Sequence, residues 1–328
     1  MITKNLTHLA IAALFASSTA AIAAQAWAPQ KNVEIVVGSA PGGSNDRTAR
    51  TVERIFVQGK LIPTSLSVNN KPGGGGSIAF TYVAQHAGDA HYLMVGTPSL
   101  LTNNITGLSK LHHNNDFTPI ASLFNDYVVF AVNASSPIRT GKDLVERLKK
   151  DPRSITIGFA TTLGSHNHIA AGLLAKTIGV SARDLKVVAY KGAADAITNL
   201  LGGHIDLVTT AAGNVAGHVA SGKLRVVGVA AAQRYSGPLA ELPTWKEQGV
   251  NLVFGGWRAI LAPKGLTREQ SAYWEGVLRK ATESPEWKAD IEKNFWSNDF
   301  VTGEAFRKDL DKDYADLKAV LVDIGLAK

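Results

Sequence analysis

The hydrophobic pattern of the chain alternates between two periods. Short runs of apolar and β-branched residues are followed by stretches in which apolar residues recur every three or four positions. The first run covers residues 33–37 and stops at a Pro-Gly-Gly turn. Helical spacing then appears at Ala49, Val52, Ile55 and Phe56. This strand–turn–helix order repeats along the chain and predicts α/β layers with mostly parallel sheets.

Further strands are predicted wherever the apolar runs return, at 66–70, 92–96, 117–123, 127–132, 155–159, 185–190, 205–208 and 224–229. The strands at 117–123 and 127–132 are nearly continuous, which suits a crossing between two domains. A second long extended segment covers 252–263. From Thr267 onward the spacing predicts amphipathic helices to the end of the chain.

The first strand–helix turn is a candidate anion site. Ser44, Asn45 and Asp46 are N-cap residue types, and residues 41–43 carry no bulky side chain. The first turn of a helix has unpaired N–H groups and the positive end of the helix dipole. We therefore expect a small carboxylate at this turn, although a turn that only reverses the chain is the alternative.

Two later stretches repeat parts of this design. The strand at 155–159 is followed by small polar residues at 160–168 and by an apolar helix, which predicts a second anion site. Gly73–Ser77 follows the second strand and resembles a phosphate loop, but the Lys-[Ser/Thr] pair of such loops is missing. A nucleotide site is therefore rejected.

Composition narrows the class of protein. The chain has 328 residues, 45% of them hydrophobic, which is enough for two domains with cores. The net charge of +7 is spread without a basic stripe, so no nucleic-acid partner is expected. The chain has no cysteine, which excludes disulfides, thiol nucleophiles and Cys-ligated zinc.

The N-terminus has the pattern of a secretion signal. Lys4 precedes an apolar core at 9–15 and small residues at 17–28, and Ala24-Gln25-Ala26 fits a small-x-small cleavage site. Residues 1–26 are therefore predicted to be removed. No later run approaches ~20 apolar residues, so we expect an exported periplasmic protein whose mature chain does not insert into a membrane.

Several motifs, in this order and spacing, resemble the extracytoplasmic solute receptors of the tripartite tricarboxylate transporter family, often called Bug receptors. They are Pro41–Asp46, Asn70–Gly76, Asp116–Ile120, Gly202–Asp206 and Trp257–Pro263. The resemblance implies a type II periplasmic binding protein fold, in which two α/β lobes joined by two hinge crossings close on a ligand in a central cleft. It places the first lobe at 27–127 and 258–328, and the second lobe at 128–257.

The resemblance also implies a function and a set of site residues. The expected receptor binds a small mono-, di- or tricarboxylate, aliphatic or aromatic, without a cofactor or metal, and passes it as a monomer to a membrane permease. Residues that match the ligand-binding motifs are Gly42, Gly43, Ser44, Asp46, Thr97, Ser99, Thr161, Thr162, Gly164, Ser165, His166, Lys191, Gly192 and Asp206.

Simpler roles remain open for some of these residues. Asp46 has a helix N-cap as its alternative, Asp206 a cap on the preceding Gly-Gly turn, and Lys191 an ordinary surface position. His166 and His168 do not share a helix face and lack a nearby carboxylate, which argues against zinc. Arg258 has two possible roles, a salt bridge across the hinge or a contact with the ligand.

Two other functions stay as alternatives. A receptor-fold sensor would dock on a signalling protein instead of a permease. A secreted α/β hydrolase is the third class, but the Gly-x-Ser-x-Gly nucleophile motif is absent from the sequence.

Overall fold

The computed structural model describes residues 27–42, 44–160, 163–190, 192–235 and 237–327, so the predicted signal peptide lies outside the described residues. The strands are β1 (Val33–Val37), β2 (Leu66–Asn70), β3 (Tyr92–Gly96), β4 (Phe117–Phe124), β5 (Val128–Asn133), β6 (Thr156–Ala160), β7 (Lys186–Tyr190), β8 (Leu207–Ala211), β9 (Leu224–Val229), β10 (Arg258–Pro263) and β11 (Val301–Thr302). The helices are α1 (Ser44–Gln58), α2 (Ser77–Ala84), α3 (Ser99–Ile105), α4 (Gly141–Lys150), α5 (His166–Thr177), α6 (Ala193–Leu201), α7 (Ala212–Ala220), α8 (Arg268–Glu283), α9 (Pro285–Asn294) and α10 (Gly303–Asp323).

The strands form two sheets, and we call each sheet with its helices a lobe. The first sheet has the order β11-β4-β10-β3-β1-β2, and the second has the order β7-β6-β8-β5-β9. β1 pairs in parallel with β2 and β3, while β6 pairs in parallel with β7 and β8. Two α/β lobes are therefore present, as the sequence predicts.

The expectation of mostly parallel sheets is wrong. β10 runs antiparallel to β3 and β4, and β5 runs antiparallel to β8 and β9. The reason is that β5 and β10 are the strands that the chain enters directly from the two crossings between the lobes. Such strands enter a sheet from the hinge and run against the strands of its strand–helix units.

The two crossings lie side by side at the hinge. The chain leaves the first sheet after Phe124 and joins the second at Val128, then returns to the first sheet at Arg258. The Gly256 amide donates to the Asp126 carbonyl at 2.9 Å, and Tyr127 forms an antiparallel bridge with Gly255. The hinge is thus a short two-stranded ladder.

Apolar side chains cover both faces of each sheet. In the first lobe, one face packs against α1, α8 and α9, and the other against α2, α3 and α10. In the second lobe, α4 and α5 cover one face, while α6 and α7 cover the other. Both sheets are therefore central layers, and ligands can reach only their edges. Within the described ranges, no helix combines the length and apolar character needed to cross a membrane.

Helix α10 contacts both lobes. Phe306 and Leu310 near its start pack in the first-lobe core, and Val320 near its end joins Ile169 of α5 in the same cluster. An ion pair of 3.0 Å joins Lys176 to Asp323 at the end of this helix. Beyond it, Leu326 lies 3.1 Å from the position that a Cβ would take at Gly164.

The C-terminal region differs in one respect from the prediction of uninterrupted helices. Helix α9 ends at Phe295, which adopts a left-handed conformation with φ of 56°. The chain then adds the short strand β11 to the edge of the first sheet before α10 begins. The apolar periodicity on each side concealed this break, because the strand is only two residues long.

Candidate functional site

A polar pocket lies at the edge of the first sheet where β1, β2 and β3 end. Because these three strands are parallel neighbours, their carboxyl ends meet there. The pocket has a volume of about 140 Å³. It is lined by Gly38, Asn45, Gly73, Gly75, Gly76, Phe80, Val95, Thr97 and Ser99. Oδ1 of Asn45 is buried there without a hydrogen-bond partner among the described residues, so the pocket offers unused polar groups.

The glycine segment after β2 makes this pocket possible. Gly73 to Gly76 all have positive φ values, between 55° and 125°, which side chains rarely adopt. A Cβ at Gly38 would lie 2.8 Å from the Gly76 Cα, so the end of β1 and this segment touch backbone to backbone. The Asn103 amide donates to the carbonyls of Gly74 and Gly75 and fixes the segment.

The Asp46 side chain stabilises the turn between β1 and α1 through hydrogen bonds. It is only 2% exposed, and its carboxylate accepts hydrogen bonds from the Gly42 amide at 2.8 Å, Arg50 at 3.0 Å and Asn70 at 2.9 Å. Burial alone would raise the pKa of Asp46, but these hydrogen bonds together hold it below its usual value. Both carboxylate oxygens therefore accept hydrogen bonds that shape the turn, and the assignment of Asp46 as a ligand residue stays a prediction.

The second-lobe turn after β6 is held by His168. Its Nδ1 accepts from the Gly164 amide at 2.9 Å, and its ring stacks on Phe159 with centroids 4.8 Å apart. Burial lowers the pKa of His168 to about 4, so the ring is neutral and accepts this hydrogen bond. Ser165 donates to the Ala160 carbonyl at 3.2 Å and precedes the first residue of α5.

Arg258 lies where the two lobes meet. Its Nη1 donates to the Gly256 carbonyl at 2.6 Å, and its Nη2 is 3.5 Å from Oγ of Ser44, the first residue of α1. A Cβ at Gly256 would lie 3.2 Å from Arg258 Nη1 and 3.6 Å from the His166 ring. The turns before α1 and α5 therefore face the same guanidinium. We call Ser44, Asp126, His166, Gly256 and Arg258 the interlobe site.

The charges of the interlobe site are only partly compensated. Burial, aided by the charge of Arg258, lowers the pKa of His166 to about 4, so this ring is neutral. Burial raises the pKa of Asp126 to about 6, against the opposing effect of the positive charges of Arg258 and Arg47. Asp126 Oδ1 and Arg258 Nε are both buried without a hydrogen-bond partner among the residues described.

Replacing Asp126 with asparagine is expected to stabilise the ligand-free protein at pH 7. A carboxyl group whose pKa rises on folding destabilises the folded state as the pH climbs from about 4 to about 6. Removing the charge should therefore raise the unfolding free energy at pH 7 by about 2 kcal/mol and have little effect at pH 4. Urea unfolding at both pH values measures this. Asp116→Asn, at the other end of β4, is the control, and an equal or lower stability of Asp126→Asn at pH 7 would contradict the expectation.

The structure brings most of the described candidates to two facing edges. Ser44, Thr97 and Ser99 lie at the carboxyl edge of the first sheet, with the Thr97 and Ser99 hydroxyls 2.7 Å apart. Gly42 lies in the turn just before α1, where Asp46 holds its amide. At the carboxyl edge of the second sheet, the candidates follow β6 and β7, and they are Gly164, Ser165, His166 and Gly192. Gly43, Thr161, Thr162 and Lys191 lie outside the described residues.

Asp206 does not belong to either edge, so its position gives no support to its assignment as a ligand residue, which stays a prediction. It precedes β8, and its carboxylate accepts from the amide of Thr156, the first residue of β6, at 2.8 Å. Because β6 and β8 are parallel, this end of the sheet is opposite the turns before α5 and α6. Asp206 therefore joins two strand starts, and its hydrogen bonds among the described residues go to Thr156 and not to the preceding Gly-Gly turn.

Sequence reasoning missed Asp126 and left Arg258 undecided between two roles. A salt bridge across the hinge is not formed, since the described residues contain no ion pair of Arg258, and its Nη1 turns to hinge carbonyls. Asp126 is separated from Arg258 by more than a hundred residues, and no local motif marks it. The one signal that the sequence offered was that Asp126 is a polar residue inside a predicted crossing between the lobes.

A second, larger cavity is less suited to a carboxylate than the polar pocket. It has a volume of about 260 Å³ and lies between the hinge and α10. Asp299, Asp309 and Asp313 line it, and Lys312 is the cationic residue of the lining. Burial raises the pKa of Asp313 to about 6, although Trp257 donates to its carboxylate at 3.0 Å. The acidic lining would repel an anion, so the smaller pocket at the carboxyl edge is the better candidate.

Comparison with known proteins identifies the family of this chain. Residues 54–307 match the family model described as "Tripartite tricarboxylate transporter family receptor". Protein BugT of Bordetella pertussis is 28% identical over 269 residues, which cover 80% of this chain and 80% of BugT. The solved structure of a TctC solute binding protein from Polaromonas is 28% identical, covers 90% of this chain and 99% of its own, and has a TM-score of 0.80.

A further solved structure shares the fold at lower identity. It is an R. palustris protein with adipate, 24% identical, with a TM-score of 0.73 over 91% of this chain and 99% of its own. The matched family consists of substrate-binding receptors and not of enzymes, which sets the hydrolase alternative aside. The family model covers more than half of the chain. The chain belongs to the tripartite tricarboxylate transporter family receptors, also known as Bug receptors.

Proposed function

We propose that this chain is a periplasmic receptor that closes its two lobes on a small carboxylate and delivers it, as a monomer, to a membrane permease of the tripartite tricarboxylate transporter type. The proposed lobes are residues 27–127 with 258–328, and 128–257. The observation that carries the proposal is the pair of facing edges, one with the polar pocket of β1–β3 and one with the turn before α5, which meet at Arg258.

The chemistry of the pocket suits a carboxylate. Hydroxyl groups and backbone amides donate hydrogen bonds without a second full charge that must lose its water. Thr97 and Ser99 supply hydroxyls, and the glycine segment exposes backbone on the same side. The R. palustris protein that shares this fold was solved with adipate, a dicarboxylate, which supports the same ligand class here.

A thermal-shift screen of mono-, di- and tricarboxylates, followed by calorimetry on the hits, tests this function. A ligand present at a hundred times its Kd should add about 2.7 kcal/mol of stability, because it binds the folded state alone. Thr97→Val should weaken binding of the best acid roughly fivefold to tenfold, the value of one lost hydrogen bond. Thr118→Val is the control. The Thr118 hydroxyl donates to the Pro263 carbonyl at the start of β4, away from the carboxyl edge that forms the pocket.

Two results would count against the proposal. One is a screen in which sugars or amines, but no carboxylates, raise the melting temperature. The other is co-purification of the ligand-loaded protein from detergent-solubilised membranes with a signalling protein instead of a permease, which would favour the sensor alternative.

A further inference from the structure

The interlobe site contains two charged side chains that the fold leaves incomplete. Arg258 Nε and Asp126 Oδ1 are buried, and neither has a hydrogen-bond partner within the described ranges. The two side chains do not pair with each other there, although each is close enough for its charge to act on the other. A buried charge without a partner is costly, so such groups usually have a partner in the functional state.

The rest of Arg258 shows that its position is fixed by the hinge itself. Nη1 donates to the carbonyls of Gly256 and Trp257, at 2.6 Å and 3.2 Å, so no acidic side chain is needed to hold it. Nη2 has a long contact of 3.5 Å to Ser44 Oγ, at the start of α1. A ligand carboxylate placed here would lie between a guanidinium and a helix N-terminus, both of which favour an anion.

Asp126 requires the opposite chemistry. Its carboxylate accepts hydrogen bonds and favours a cation, and the positive charges that act on it, Arg258 and Arg47, do not contact it. Two further titratable groups are His166, which belongs to the site and is neutral, and the Tyr235 hydroxyl beside it, whose pKa is raised mainly by burial. A ligand hydroxyl would supply a hydrogen bond but no positive charge. A protonated amine supplies both.

We propose that the interlobe site recognises an amino acid, with Arg258 donating to the ligand carboxylate and Asp126 accepting from its ammonium group. This inference rests on the proposed receptor function and adds its ligand class. Arg258 and Asp126 are then specificity residues, one for the acid shared by all ligands and one for the amine that distinguishes them.

Calorimetry with matched ligand pairs tests the inference. Each pair shares a carbon skeleton, and one member lacks the amine: alanine with propionate, aspartate with succinate, glutamate with glutarate, and phenylalanine with 3-phenylpropionate. In at least one pair, the amino member should bind the parent protein ten or more times tighter than its partner.

Three variants at these two residues assign the roles. Asp126→Asn should bring the ratio of affinities within that pair close to one, and Arg258→Gln should weaken the amino acid at least tenfold. Arg258→Lys should recover only part of this loss, because an ammonium lacks the two-pronged geometry of guanidinium. The controls are Arg225→Gln, whose parent side chain donates to the Ala134 and Ile138 carbonyls on the second lobe, and Asp116→Asn. Both control variants should keep the ratio of affinities, amino acid to desamino acid, that the parent protein shows.

The outcomes separate the two proposals. If a desamino acid binds the parent as tightly as its amino partner in every pair, the amino-acid inference is overturned while the receptor function stands. A ratio that Asp126→Asn leaves unchanged also overturns it. If neither these acids nor the wider screen of carboxylates binds, both proposals fail together.

Discussion

Trp245→Ala should lower the unfolding free energy by about 3–5 kcal/mol, the usual cost of removing a fully buried tryptophan. The Trp245 side chain is 0% exposed and packs edge-on against Phe130, with ring centroids 5.1 Å apart. A Cβ at Gly228 would lie 2.4 Å from its ring and one at Gly141 2.7 Å, so two glycines leave space for it. The vacated volume would be bounded by sheet backbone, which cannot collapse to fill it.

Urea unfolding followed by circular dichroism measures this loss. Trp27→Ala is the matched control, because Trp27 is only partly buried against the first-lobe core and should cost less. Any Trp245→Ala protein that remains folded should keep its ligand affinity, since the residue lies in the second-lobe core away from both carboxyl edges. A loss no greater than that of Trp27→Ala would show that the second lobe repacks around the gap.

Asp46→Ala should cost about 3 kcal/mol of stability and remove ligand binding at the same time. The mutation leaves the Gly42 amide and the Asn70 side chain without their acceptor, and a buried donor that loses its partner costs about 1–3 kcal/mol. Arg50 also loses its ion pair. Because these bonds hold the turn between β1 and α1, we expect the pocket at the carboxyl edge to lose its shape.

Denaturant unfolding and calorimetry on the best ligand test both parts. Asp143→Ala is the control: Asp143 also accepts backbone amides at a helix start, through the capping box of α4, but it is less buried than Asp46 and lies outside the site. Asp143→Ala should lose less stability and keep its affinity. An Asp46→Ala protein that binds with the parent's affinity would show that the turn forms without this carboxylate.

Local chemistry explains which features the sequence predicts correctly. The strand, glycine turn and helix start at residues 33–58 are determined by neighbours in the chain, so periodicity and N-cap residues were sufficient to identify them. The assignment of Asp206 to the ligand site has the same origin. Its Gly-Gly-x-x-Asp pattern marks a tight turn, but which end of the sheet that turn occupies depends on the parallel pairing of β6 and β8.

Long-range pairing explains what the sequence did not reveal. The antiparallel entry of β5 and β10 depends on how the two crossings lie together at the hinge. Asp126 and Arg258 become neighbours only through the Gly256–Asp126 hydrogen bond of that ladder. No periodicity or motif carries this information, whereas the candidates that follow parallel strands share an edge because those strands pair in register.

The last turn of α10 and the residues just after it contact the proposed ligand turn of the second lobe. Leu326 supports the Gly164 turn, and Asp323 pairs with Lys176 on the helix that follows it. Purification tags and reporter fusions are commonly attached at a C-terminus because it is assumed to be inert. In this receptor Leu326 packs beside the proposed ligand turn, so labels intended to leave binding unperturbed belong on the exposed outer surface of α4 instead.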